Sequence, residues 1–296
     1  MSVTPPTLQL QQRLGLIGWR AMMGTFGLLS RLRSPSTPGA VTEHAYGTHP
    51  DERLDQIESA SGAPQHAPIV YVHGGGWICG KKEMYTGPLA RFAEAGHPIF
   101  NLEYPLAPER PHPHMLRSLL RAIAWIEEQH PQDEGIHLMG DSAGGNLVAM
   151  LGILLTNKER LAEVAPGFQH PTPRARTIVS LYGVLDRLSW VEQGFPGASL
   201  MLHCYAGPGA NGQEVETDQA ITPMDLTFEN LPPTFIAAGS KDQLAPSSAL
   251  WAHQLQARSH DVNYEVYEGE GHGFFNTDGP ATRQLGSDIL TFLARN

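Results

Sequence analysis

A serine set between glycines at a strand-to-helix junction is the feature of this sequence best equipped for chemistry. Met139-Gly140-Asp141-Ser142-Ala143-Gly144-Gly145-Asn146 follows an apolar run over 136–139 suited to a buried strand. It precedes another over 147–155 that is apolar enough for a helix beneath the site. Ser142 therefore falls on the intervening turn, where a tight reversal forces the nucleophilic residue into a strained backbone and pushes its hydroxyl into a cleft. Gly140 and Gly144 must be small for the neighbouring backbone to approach.

Acyl transfer by a serine also needs a base, an acid that orients the base, and donors aimed at the developing oxyanion. Gly269-Glu270-Gly271-His272-Gly273-Phe274 follows the last expected strand, so His272 sits on a flexible loop at the carboxyl edge of a sheet and is the predicted base. Asp242, in Gly239-Ser240-Lys241-Asp242, lands on the same edge as the predicted acid, with Asp186 and Asp225 as competitors after other apolar segments. His73-Gly74-Gly75-Gly76-Trp77 follows the strand expected over 67–72. Its glycines let backbone N–H groups face the cleft, so Gly75, Gly76 and Ala143 are assigned to the oxyanion hole. The order Ser142, Asp242, His272 is that of the α/β-hydrolase triad.

Positioning these groups requires a parallel sheet. β-rich runs over 67–72, 98–103, 136–139, 177–181, 234–238 and 263–267 alternate with segments over 85–95, 114–129, 143–157, 246–257 and 280–295, long enough for crossover helices. Residues 41–46 and 53–59 read as an antiparallel edge hairpin. Between 184 and 228 the pattern loosens into glycine, proline and scattered aromatics, as an insertion over a site would. The predicted organisation is N-terminal cap helices over 1–40, a core over 41–183 and 229–296, and a cap insertion over 184–228.

Composition narrows the partners. A net charge of −10 without a basic block argues against nucleic acid. Cys79 and Cys204 are too few for a disulfide framework and fit a reducing, cytoplasmic compartment. His112-Pro113-His114 lacks metal-ligand spacing, so no metal is expected. Near the N-terminus, the apolar pieces over 14–20 and 21–29 are interrupted by Arg20 and fall short of the ~20 residues a membrane span needs. They read as one or two amphipathic helices packed on the protein, with Arg13, Arg20, Arg31 and Arg33 in solvent. Peripheral membrane contact and a homodimer stay open.

With these motifs in place, the chain resembles the hormone-sensitive-lipase-like family of α/β-hydrolase carboxylesterases, in its G-D-S-A-G-G subgroup. The resemblance rests on His73-Gly74-Gly75-Gly76, Glu103-Tyr104-Pro105-Leu106-Ala107-Pro108-Glu109, Gly140 through Asn146, and Gly271-His272-Gly273-Phe274. It implies an α/β-hydrolase fold with a mainly parallel eight-stranded sheet flanked by helices and a helical cap. It also implies no cofactor and hydrolysis of short- to medium-chain acyl esters through an acyl-enzyme. Two departures stand out: Pro105 where the family has arginine, and Pro246 where it commonly has a second aspartate after Asp242. The second puts loop support in question more than chemistry.

Other assignments carry a structural alternative. Asp141 is expected to support the elbow, and His73 and Gly74 the oxyanion loop. Glu109 either braces that loop or is a surface carboxylate. Trp77, Met22, Met23, Phe26, Met201, Leu202 and Tyr205 are candidates for an apolar substrate pocket or for packing of the cap. The rival activities are an amidase or arylformamidase, because His73-Gly74-Gly75-x-Trp77 resembles kynurenine formamidases, and a non-catalytic small-molecule receptor like the plant gibberellin receptors. Those receptors lose the histidine that His272 supplies here.

Overall fold

In the computed structural model, the residues described are 5–33, 39–62, 64–131, 134–170, 172–207 and 220–296. Near the N-terminus, a single helix α1 (Leu10–Arg33) takes the place of the one or two expected. Strands β1 (Val41–Ala45) and β2 (Arg53–Ile57) form the edge hairpin. There follow β3 (Ile69–Val72), α2 (Thr86–Glu94), β4 (Ile99–Leu102), α3 (His114–Gln129), β5 (Ile136–Asp141), α4 (Ala143–Thr156) and α5 (Lys158–Val164). The chain continues through β6 (Ala175–Leu181), α6 (Ser189–Glu192), α7 (Ala198–Ala206), β7 (Thr234–Gly239), α8 (Ala245–Ala257), β8 (Val262–Tyr267) and α9 (Pro280–Arg295).

The eight strands form one sheet in the order β1-β2-β4-β3-β5-β6-β7-β8, antiparallel only where β2 meets β1 and β4. β3 pairs with β4 on one side and β5 on the other, so the chain reverses its direction of travel across the sheet there. Ligand sites of open parallel sheets lie at the carboxyl ends of strands flanking such a reversal. The loops after β3 and β5 carry the glycine strip and Ser142 to that position.

Both faces of the sheet are covered, which is why its central strands read as unbroken apolar runs. On one face Val70, Leu138 and Ile178 pack with Leu119, Leu120 and Ile123 of α3 and with Val148 and Leu151 of α4. On the other, Tyr71, Met139 and Phe235 pack with Leu89 and Phe92 of α2 and with Leu285, Ile289 and Phe292 of α9. α3 shows why its sequence is helical: Met115, Leu116, Leu119, Leu120, Ile123 and Ile126 recur at three- and four-residue spacing and all are buried. α4 is buried on every side, so it lacks such a stripe and instead forms the central pillar behind Ser142.

Among the described residues no helix is long and apolar enough to cross a membrane. Leu16 of α1 is buried, whereas Leu10, Leu14, Ile17 and Met22 are exposed. Arg13 is in solvent, but Arg20 is not free there as expected. It turns toward the body of the protein, donating to the Ile78 and Ala107 carbonyls and to both carboxylate oxygens of Glu109. Carbonyls at the end of a loop offer fixed acceptors that a lone helix cannot reveal. The side chains of Phe26, Arg31 and Arg33 lie outside what the structure describes.

Candidate active site

Ser142 occupies the turn between β5 and α4 with φ 52° and ψ −120°, a conformation an L-residue holds only under tight constraint. Its N–H donates to Leu181 O at 2.8 Å, and its carbonyl accepts from Asn146 N in α4 at 3.1 Å. The turn leaves no room at Gly144: a Cβ there would lie 2.0 Å from Val72 O. Glycine is thus required where α4 starts beneath the end of β3.

A hydrogen-bond chain runs from this hydroxyl across the carboxyl edge of the sheet. Ser142 Oγ lies 2.9 Å from His272 Nε2, and His272 Nδ1 lies 2.9 Å from Asp242 Oδ2. A carboxylate only accepts, so Nδ1 carries the proton and Nε2 is left to accept from the serine. The Asp242 side chain is fully buried and its other oxygen accepts from Leu244 N at 2.8 Å, which fixes the carboxylate plane. The imidazole is held edge-on between the rings of Tyr182 and Phe195, at 4.9 and 5.0 Å between centroids. The competing aspartates are engaged elsewhere, Asp186 with the Leu188 and Ser189 amides and Asp225 with Thr222 and Arg187.

Support for the aspartate loop comes from its neighbour. Ser240 Oγ accepts from Gly269 N at 2.8 Å, and Lys241 N donates to Glu270 O at 2.9 Å. The loops carrying Asp242 and His272 are thereby stitched together without an acidic residue at the Pro246 position.

Gly75 and Gly76 have φ values of 118° and 59°, turning the strip after β3 back toward Ser142, and both line the cavity around it. Among the described residues neither amide donates to a backbone carbonyl. The Ala143 N–H opens α4, where helical amides have no partner within the helix. These three amides thus remain without a backbone acceptor beside the cavity.

Asp141 ties the strip to the elbow. Its Oδ1 accepts from Tyr71 OH at 2.8 Å and Gly74 N at 2.7 Å, and its Oδ2 accepts from Tyr85 OH at 3.0 Å. Burial raises its pKa, with those donors pulling the other way. His73, fully buried against Tyr104 at 4.4 Å between centroids, donates from Nδ1 to Gly74 O. Burial opposes its charge, yet Glu103, 3.5 Å from Nε2, raises its pKa on balance. Glu109 touches neither the strip nor the serine and instead clamps Arg20 of α1 at 2.7 Å.

The serine opens into a cavity of about 890 Å³. Of the expected pocket residues, Met23 and Met201 line it. Trp77, Leu202 and Tyr205 lie buried outside its wall, and Met22 faces solvent. Trp77 has φ 61° and stacks on Tyr205 at 4.3 Å, the planes 3° apart, so it joins the glycine strip to α7 instead of meeting a ligand. Tyr205 OH in turn lies 3.0 Å from His112 Nδ1. Sequence reasoning missed Trp19, Met84, Trp190 and Phe195, which complete the apolar wall. Aromatics in the loosened stretch signalled the last two, whereas Trp19 had no signal beyond its place on α1.

A family model described as alpha/beta hydrolase fold matches residues 69–276, and the chain belongs to that family. Esterase LipC of Mycobacterium tuberculosis is 26% identical over 84% of this chain and 63% of its own length, so the match spans less than two thirds of that relative. Carboxylesterase NlhH of the same species is 27% identical over 70% of the chain and 66% of its length. Among solved structures, esterase B of Lactobacillus rhamnosis inhibited by a tributyrin phosphonate superposes with a TM-score of 0.79 at 17% identity, covering 98% of this chain and 96% of that one. An esterase of Pyrobaculum calidifontis gives 0.77 at 21% identity, covering 100% and 95%. At these identities the two structures bear on the fold alone.

Proposed function

We propose that this protein is a serine carboxylesterase of the hormone-sensitive-lipase-like G-D-S-A-G-G subgroup, hydrolysing short- to medium-chain acyl esters. The observation that carries the reading is the unbroken 2.9 Å chain from Ser142 through His272 to Asp242, opening into an apolar cavity. The esterases among its relatives support the same reaction class.

In this reading His272 Nε2 takes the Ser142 proton as Oγ bonds to the ester carbonyl carbon, and the carbonyl oxygen becomes an oxyanion held by the Gly75, Gly76 and Ala143 amides. Asp242 keeps the proton on Nδ1 and stabilises the imidazolium. Collapse breaks the bond to the alkoxy oxygen, which leaves with the proton from Nε2. Water, deprotonated by the same nitrogen, then cleaves the acyl-enzyme and restores the serine. Met23 and Trp19 from α1, with Trp190, Phe195 and Met201 from the mid-chain segment, support the view that residues 1–40 and 184–228 act as the cap.

The test is a kcat/KM series on p-nitrophenyl esters from acetate to palmitate, run beside N-formylkynurenine. A maximum at short or medium chains supports the esterase. Turnover confined to the formamide would replace it with an arylformamidase.

A second reading concerns the outer side of the cap. Exposure of 72% at Leu10, 60% at Leu14 and 63% at Ile17 gives α1 an apolar stripe away from the protein, which supports peripheral contact with a lipid surface. Flotation with liposomes tests this: the chain should float, and a variant with Leu10, Leu14 and Ile17 changed to serine should not.

A further inference from the structure

Arg91, on α2, lines the same cavity as Ser142 at some remove from it. Its guanidinium is pinned from two sides: Nε donates to Pro88 O at 3.2 Å, and Nη1 donates to Thr282 O at 2.7 Å. The Phe275 ring lies under it at 5.9 Å. The space it fills is shaped for it, because a Cβ at Gly286 of α9 would come 2.9 Å from its Cδ and Nη1. Yet among the described residues no carboxylate pairs with it, and Nη2 donates to no protein acceptor. Asp278, whose side chain is 97% exposed, pairs with Arg283 at 3.3 Å and acts on Arg91, as Glu94 does, only as a charge through space that offsets part of the burial. Burial also lowers the pKa of Arg91, the sign of a cation that lacks full compensation.

A half-buried, preoriented guanidinium with an open edge is a receptor for a planar anion, since its fork matches a carboxylate better than a single point charge does. Met84, Tyr85, Gly87 and Pro88 line the same cavity and offer an apolar surface that suits an alkyl spacer. Tyr85 OH touches Asp141 beside the nucleophile, and Arg91 lies six residues further on, about 9 Å along a helix.

Resting on the serine-esterase reading of this cavity, we propose that Arg91 determines specificity: the substrates are half-esters of linear dicarboxylic acids, whose free carboxylate docks on Arg91 while the ester reaches Ser142.

The experiment compares methyl half-esters of dicarboxylic acids with methyl esters of alkanoic acids of equal chain length, followed by acid release in the wild type, Arg91→Lys and Arg91→Gln. The wild type should favour the anionic member of the best-matched pair at least tenfold in kcat/KM, through KM. Arg91→Gln should bring the ratio to about one, and Arg91→Lys should keep part of it. A purely structural arginine would lower both substrates together and leave the ratio unchanged, which overturns the proposal, as does a wild-type ratio near one. Calorimetric binding of the half-ester to Ser142→Ala, with and without Arg91→Gln, reads the carboxylate contact without turnover. If no ester is hydrolysed by the wild type, the esterase reading fails, and a tenfold loss of binding on Arg91→Gln still decides the docking of the carboxylate.

Discussion

Asp141 is adjacent to Ser142, the proposed nucleophile, but acts in this account by holding the glycine strip proposed to bind the oxyanion, so its removal should separate positioning from chemistry. Asp141→Ala strips the acceptor from three buried donors, Tyr71 OH, Tyr85 OH and Gly74 N–H. An orphaned buried donor costs about 1–3 kcal/mol, so three of them set a stability loss of about 3–9 kcal/mol, less if water enters. Releasing Gly74 also lets the next two amides drift, and loss of one oxyanion donor costs about 100- to 1,000-fold in rate. Asp141→Asn keeps one acceptor oxygen for Tyr71 and Gly74 and offers its NH2 to a rotated Tyr85 hydroxyl. It should lose about 1 kcal/mol and stay within about tenfold in kcat/KM. Urea unfolding and kcat/KM on p-nitrophenyl butyrate measure both effects. If Asp141→Ala unfolds at the wild-type midpoint and keeps its kcat/KM within threefold, the idea that this carboxylate positions the strip is wrong.

The remaining predictions address the base, the cap and pH. Asp242→Asn should lower kcat by about 10⁴-fold with little change in KM, because the amide no longer enforces the right imidazole tautomer. Arg20→Ala frees α1 from Glu109 and from two loop carbonyls. Limited proteolysis should then cut within α1, and KM for apolar esters should rise several-fold; an uncut α1 would show that the clamp is dispensable. His112 and His137 are buried, and burial lowers each pKa to about 3. Below pH 6.5 the unfolded chain takes up protons that the folded chain refuses, so stability is complete above pH 6.5 and falls toward pH 3. By pH 5 each contributes a loss of about 2 kcal/mol. His137→Leu should flatten unfolding free energy between pH 6.5 and 5, and an unchanged slope there would contradict the buried neutral ring.

Much of the core and the meeting point of Ser142, His272 and Asp242 is legible in the sequence, because period, glycine placement and chain order all act locally. The strands are found to within one or two residues, with ends set by pairing partners the local pattern omits: β5 runs on through Asp141 beside β6, and β3 begins only at Ile69. α5 escaped notice because Lys158–Val164 has no buried side to leave a stripe. The segments over the cavity are the harder part. α7 is apolar nearly all round, so periodicity cannot tell that Met201 faces the cavity while Leu202 and Tyr205 face the core. Trp77 turns away from the cavity through a positive φ that no propensity predicts. Arg20 and Glu109 meet across 89 positions of chain, a pairing invisible to any local rule.

The central claim is that the Ser142 hydroxyl is the attacking group, and covalent labelling reads it directly. Wild-type protein treated with a fluorophosphonate should gain one adduct, mapped by peptide mass to Ser142, with ester turnover falling in proportion to labelling. Ser142→Ala should take up no label and turn over no ester while unfolding at the wild-type midpoint. An adduct on another residue, or ester hydrolysis surviving in Ser142→Ala, would contradict the account.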